Sequence, residues 1–191
     1  MGRLQAPDER LPPGQYATDR WPVLHTGPIP RFDRGSWDFR VFGRVEAPLR
    51  FSYDEFMALP QVRVVADMHC VTAWSTFDNA WEGVASGELL RRVTLRPGAA
   101  HVLIHAENGY TTNIPLEVFA ESDVLFAYGH NGKPLAPEHG YPLRLVVPTR
   151  YAWKSAKWVR GVEFLEGDRP GFWEVRGYNN NADPWREERY G

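Results

Sequence analysis

Sixteen prolines and seventeen glycines are scattered through the 191 residues instead of being pooled in one linker, and that spacing constrains the fold most. Proline interrupts the interior of helices and strands, and glycine marks turns. A chain punctuated this often is built from many short elements joined by tight turns. No domain boundary or internal repeat stands out, so a single domain over residues 1–191 is expected. Hydrophobic residues make up 43% of the chain and aromatics 14%, enough for one sizeable core.

Residues 1–30 and 167–191 read as loop-like, extended segments. The second carries Phe172, Trp173, Tyr178 and Trp185, too aromatic for a disordered tail, and is expected to pack on the body. Between them, Trp37 to Phe42 alternates as a strand, and Ser52-Tyr-Asp-Glu55 is a capping box opening a short helix through Leu59. A strand through Val62, Val64 and Ala66 delivers His69 and Cys70 to its far end. Ser86 is placed to cap a helix over Gly87 to Val93. His101 to Ala106 and Tyr110 to Ile114 flank an Asn108-Gly109 turn and read as a hairpin. A short helix from Pro115, a strand from Val124 to Tyr128, an Asn131-Gly132 turn and two long apolar strands, Leu143 to Val147 and Lys157 to Leu165, follow. The expected class is α+β, mainly β, with a mixed or antiparallel sheet or barrel and a few short helices.

Charge and cysteine content narrow the function. Lys+Arg number 22 against 24 Asp+Glu, a formal charge of −2, and no basic run exceeds a pair, so the electrostatic footprint of a nucleic-acid binder is missing. No apolar stretch approaches the roughly 20 residues of a membrane span, nor does Met1 to Pro30 read as a signal peptide. One cysteine excludes an internal disulfide and a cysteine-rich zinc cluster. A soluble cytoplasmic protein is expected.

Three features can carry chemistry. In Asp67-Met-His-Cys-Val-Thr-Ala-Trp-Ser75 the lone cysteine stands beside a histidine at a strand end. Cys70 there reads either as a small buried hydrophobe or as a thiolate nucleophile or soft metal ligand. In His139-Gly-Tyr-Pro-Leu-Arg144 and Arg150-Tyr-Ala-Trp-Lys-Ser-Ala-Lys157-Trp158, four cations interleave with aromatic and small residues. That block is either a solvated basic face or a phosphate cradle, in which Ser155-Ala156 lets backbone N–H groups approach the anion while Arg144 pairs with it. Of the other histidines, His101 and His130 read as structural, His105 stays open and His25 sits in a proline-flanked irregular segment.

Taken together, the segment Trp37 to Pro48, Cys70-Val-x-Ala-Trp-Ser75, Trp81-x-Gly-Val84, Gly129-x-Asn-Gly-x-Pro-Leu135, His139-Gly-x-Pro-x-Arg144 and Lys154-Ser-x-Lys-Trp158 resemble the sulfite oxidase-like family of molybdopterin oxidoreductases. The resemblance spans nearly the whole chain and implies that family's molybdopterin-domain fold. It places the molybdenum-binding thiolate on Cys70, beside two dithiolene sulfurs of the pterin, with tungsten left as an alternative metal. It puts the pterin and its phosphate on His139, Arg144, Ser155, the Ala156 backbone and Lys157. His25 falls near the N-terminal cofactor contacts, and the region near His105 and Ala106 approaches the cofactor. Arg150, Tyr151 and Trp74 are candidates for lining the substrate pocket. The implied chemistry is two-electron oxygen-atom transfer on a small-molecule substrate, with electrons exchanged through a separate, unidentified redox partner.

The chain departs from the family where substrates are read. Sulfite oxidases place arginines just after the cysteine, and the bacterial methionine sulfoxide reductase has an acidic residue where Thr72 stands. Here Thr72, Ala73 and Trp74 follow, so neither substrate transfers. Two rival readings are a cofactor carrier without turnover and a cysteine hydrolase using Cys70 and His69. The hydrolase reading is weakened because adjacent strand residues point to opposite faces.

Overall fold

The computed structural model describes residues 8–191. Residues 1–7 of the N-terminal extended segment lie outside the described residues. Strands dominate, in two sheets that share one core. The first sheet contains β1 (Tyr16–Ala17), β4 (Val62–His69), β5 (Trp74–Ala85), β8 (Leu125–His130), β9 (Lys133–Pro134) and β10 (Arg144–Val146). The second runs in the order β3 (Leu49–Ser52), β2 (Asp38–Gly43), β11 (Val159–Leu165), β6 (His101–Ala106), β7 (Thr111–Pro115). Both are mixed, because β1 pairs with β5 and β2 with β11 in parallel while the other ladders are antiparallel.

The core follows from strand alternation. Phe39 and Val41 of β2, Val162 and Phe164 of β11, and Val102 and Ile104 of β6 point inward to meet Phe126 of β8, Leu145 of β10 and Val84 of β5. Helix α1 (Tyr53–Met57) covers one end of this core with Phe56. Its capping box forms as the sequence predicts, with the Glu55 N–H donating to Ser52 Oγ and the Ser52 N–H to Glu55 Oε2. The turn predicted at Asn131-Gly132 also forms, with φ of 51° and 74°, and joins β8 to β9 as a hairpin.

One strand was not expected, and two expectations change. The longest strand, the twelve-residue β5, carries no clean alternation because it is bent at Asp78 (φ 53°) and pairs with three neighbours, β1, β4 and β8. Helix α2 (Ser86–Arg92) is not capped by Ser86. That hydroxyl is buried and donates to the Phe119 and Val124 carbonyls, which ties α2 to the α3 (Leu116–Phe119) region. The expected long strand at Leu143 to Val147 is the three-residue β10, held between Pro142 and Pro148.

The second sheet has a buried charge at its edge. Arg40 and Arg50 stand opposite one another across β2 and β3, a repulsive pair. Asp38, 4% exposed, accepts from Arg40 Nε (2.7 Å), Arg50 Nε (2.7 Å) and Arg160 Nη2 (2.5 Å). Burial pushes its carboxyl up, but the three guanidinium bonds outweigh it and hold the pKa down to about 2. A depressed carboxyl contributes stability above its unfolded pKa and loses it as pH falls toward the folded one. Asp38→Asn is therefore expected to cost about 2 kcal/mol at pH 7 and to flatten the acid limb between about pH 4 and 2, read by urea titrations across pH.

Candidate functional site

Cys70 follows β4 in a tight turn before β5. The Ala73 N–H donates to the Cys70 carbonyl and the Cys70 N–H to the Trp74 carbonyl, both at 2.9 Å. Ala73 adopts φ 72°, a strained conformation for a residue with a side chain. Gln15, just before β1, donates to the Cys70 carbonyl at 3.1 Å, so an N-terminal segment holds the turn from outside. The thiol is 7% exposed and lies 3.2 Å from Thr72 Oγ1.

The sulfur borders a cavity of about 290 Å³. One side is cationic. Arg144, 2% exposed, donates through Nη1 to the His139 carbonyl (3.0 Å) and through Nη2 to the Ser155 carbonyl (3.1 Å), and its Nε is buried without a partner. Lys157 Nζ donates to the carbonyls of Glu138 (2.6 Å) and Leu24 (2.8 Å). Gly140 makes this closeness possible. It sits at φ 113°, and a Cβ there would lie 3.0 Å from Arg144 Cβ and 3.2 Å from Lys157 Cβ. The other side is aromatic, with Trp153, Trp173 and Tyr178 in contact. Cys70 contributes to the electrostatic environment of both Lys157 and Tyr178.

Among the described residues neither Arg144 nor Lys157 has a carboxylate partner. Burial pushes the Arg144 guanidinium down to about 9, so it remains charged at neutral pH. Burial, reinforced by Arg144, pushes Lys157 down to about 7. A buried guanidinium with an orphaned nitrogen beside a half-buried ammonium with a spare proton is costly unless an anion fills the space. Ser155 adds to the fit: its Oγ accepts from the Val147 N–H at 3.0 Å, which leaves its own proton to donate. These residues suit a phosphate-bearing cofactor placed beside a thiol.

Of the site residues expected from sequence, Cys70, His25, Arg144, Ser155, Ala156 and Lys157 all line the cavity. His139 does not line it; its ring stacks on Trp21, which does, at 3.8 Å and 10°. Burial first, then Lys157 and Arg144, push His139 down to about 4, so the ring is neutral. Arg150 and Tyr151 also stand outside the lining. Tyr151 is fully buried and stacks behind Trp153 at 5.4 Å, while Arg150 donates to the Thr149 carbonyl. Trp74 lines the cavity; near His105 it is reached by Glu107 and Tyr110 instead, the His105 ring pairing with Glu163 at 2.9 Å.

Three groups of liners escaped sequence reasoning. Trp21 belongs to a segment without periodicity, Trp158 stands in the expected Lys154 to Trp158 motif but was assigned no lining role, and Trp173 and Tyr178 arrive from the C-terminal segment. The only available signal was that segment's aromatic content. His69 is no base for Cys70: its Nδ1 contacts Ser75 Oγ at 2.8 Å, and burial pushes its pKa to about 4.

The family description "Oxidoreductase molybdopterin binding domain" matches residues 26–173. The chain is 44% identical to the uncharacterized oxidoreductase YuiH of Bacillus subtilis (strain 168), over 100% of this chain and 98% of the relative. It is 29% identical to a putative protein-methionine-sulfoxide reductase subunit, YedZ1, of Azospira oryzae, over 77% of this chain and 56% of that protein. The sulfane dehydrogenase SoxCD of Paracoccus pantotrophus superposes with a TM-score of 0.66 at 23% identity, over 73% of this chain and 40% of the SoxCD chain, which establishes the fold. The chain therefore belongs to the sulfite oxidase-like family of molybdopterin-binding oxidoreductases. It is a molybdenum-dependent oxidoreductase domain whose cofactor is molybdopterin. No helix among the described residues is long and apolar enough to cross a membrane.

Proposed function

We propose that this chain catalyses two-electron oxygen-atom transfer on a small molecule, with Cys70 as the protein ligand to molybdenum. The observation that carries this reading is the convergence on one cavity of a buried thiol, the buried Arg144 and the half-buried Lys157, neither cation having a carboxylate partner among the described residues. Arg144, Lys157, the Ser155 hydroxyl and the Ala156 backbone hold the pterin phosphate, with His25 at the rim. His139 keeps Trp21 in place as a wall, and Tyr151 does the same for Trp153. Arg150, outside the cavity, is given no role. When bound, the cofactor supplies the two-electron redox couple and the soft metal that suits a thiolate. For the reductive direction an oxide, two protons and two electrons give the deoxygenated product and water, the electrons coming from a separate redox protein. The reading takes residues 1–191 as one domain working in the cytoplasm, where a lone thiol stays reduced.

Adding sulfoxides, N-oxides or oxyanions to dithionite-reduced holoprotein tests it. Reoxidation of the metal's absorption with one equivalent of deoxygenated product is expected. No reoxidation by any oxide would instead identify a carrier without turnover.

The cradle makes a separate prediction about pH. An anion beside Lys157 favours its charged form. In the cofactor-free protein the amine is half neutral near pH 7, so anion binding above that pH requires proton uptake. Sulfate, which does not titrate in this range, is expected to bind about tenfold more tightly at pH 6 than at pH 8, as read by calorimetry. Lys157→Met should flatten that dependence. An unchanged sulfate affinity across this range would remove Lys157 from the anion site.

A further inference from the structure

We propose that Trp153, Trp173 and Tyr178 form the substrate wall of this cavity, and that the wall selects an uncharged organic oxide on a flat apolar body over an inorganic oxyanion. The inference rests on the oxygen-transfer reading above and adds the substrate class to it. The Tyr178 ring stands 5.1 Å from Trp153 at 83° and 4.8 Å from Trp173 at 36°. The three rings make a continuous aromatic corner of the kind that packs another ring edge-to-face or offset.

One of the wall's three side-chain polar groups is engaged and two are not. The Trp153 indole N–H donates to Glu174 Oε1 at 2.9 Å, and the Tyr110 hydroxyl to the Trp153 carbonyl at 2.6 Å. Among the described residues no hydrogen bond is made by the Tyr178 hydroxyl or the Trp173 indole N–H. What the wall retains is therefore donors beside apolar faces, a match for a neutral molecule with one accepting oxygen. The wall carries no cation. Arg144 and Lys157 face the cavity too, but they are the phosphate's partners, and Thr72 stands beside the thiol on the turn. An oxyanion entering along the aromatic side would give up its hydration without gaining a charge partner.

The wall is also fixed in advance. The Phe172 N–H donates to the Thr111 carbonyl at 2.8 Å, and Gly171 permits that approach, since a Cβ there would meet the Thr111 oxygen at 2.5 Å. Asn113 donates to Asp168 (2.6 Å) and Asn180 (2.8 Å), one anchor on each side of the wall residues. Tyr178 lies beyond the residues that match the family description, so the corner is built partly by this chain's own C-terminal segment.

The test uses oxidised holoprotein for binding, read by tryptophan fluorescence, and reduced holoprotein for turnover. Methyl phenyl sulfoxide and pyridine N-oxide should quench at concentrations at least about tenfold lower than dimethyl sulfoxide, and sulfite and nitrate should neither quench nor compete. The better kcat/KM of the two aromatic oxides distinguishes a sulfur from a nitrogen substrate. Trp173→Ala should raise KM about tenfold with kcat within about twofold. Tyr178→Phe, which keeps the ring, should weaken the sulfoxide about tenfold while leaving thioanisole, which has no oxygen, unaffected. Aromatic quenching without any turnover upholds the wall and removes oxygen transfer. Preferred turnover of nitrate by the reduced holoprotein, or of sulfite by the oxidised holoprotein with an added electron acceptor, or unchanged affinities in both variants, overturns the wall and leaves oxygen transfer standing.

Discussion

Replacing Glu174 by alanine is expected to destabilise the protein by about 3–5 kcal/mol, read as a drop in the urea midpoint at constant m-value. Its side chain is 2% exposed and that of its partner Lys154 1%, with Nζ 2.6 Å from Oε1. The same carboxylate accepts from the Trp153 indole and, at 3.2 Å, from the Thr112 hydroxyl. Lys154 keeps the Asn113 carbonyl at 2.8 Å and its side-chain oxygen at 3.1 Å, but these are neutral acceptors. Burial pushes the ammonium's pKa down and Glu174 opposes it, so removing the acid leaves a buried charge without compensation. The pair should be strongly non-additive. Adding Lys154→Met to Glu174→Ala should recover much of the loss, the unsatisfied Trp153 and Thr112 donors accounting for what remains. A loss below about 1 kcal/mol in Glu174→Ala would show that the clamp does not hold the C-terminal segment.

The second large effect is functional. Cys70→Ser should lower turnover by about a thousandfold or more, a loss equivalent to roughly 4 kcal/mol of transition-state stabilisation, while the folded protein keeps its thermal midpoint within a few degrees. Serine preserves the size of the side chain and its neighbour Thr72, and the turn's backbone hydrogen bonds remain. What it removes is the soft donor. Turnover within about tenfold of the native value would exclude the ligand role.

Much of this arrangement was legible before folding was considered, because it depends on local chemistry. The Ser52 and Glu55 capping box, the Asn131-Gly132 hairpin and the strand leading to Cys70 each follow from residues close in sequence. The cationic side of the cavity was readable too, since Arg144, Ser155, Ala156 and Lys157 fall within fourteen positions of one another. The missing parts are those assembled at long range. β5 hides its alternation behind a bend and three pairing partners. Trp21 and Tyr178 reach the cavity from opposite ends of the chain and have no local pattern that reports a shared wall. His139 sits in the expected motif, yet its ring supports Trp21 instead of lining the cavity. Spacing along the chain located the loop but could not fix the direction of the side chain.

X-ray absorption at the molybdenum edge is the most direct test of the account, comparing native holoprotein with Cys70→Ser. The account predicts three sulfur neighbours in the native protein, two from the pterin dithiolene and one from Cys70, and two in the variant. An unchanged sulfur shell in Cys70→Ser would contradict it.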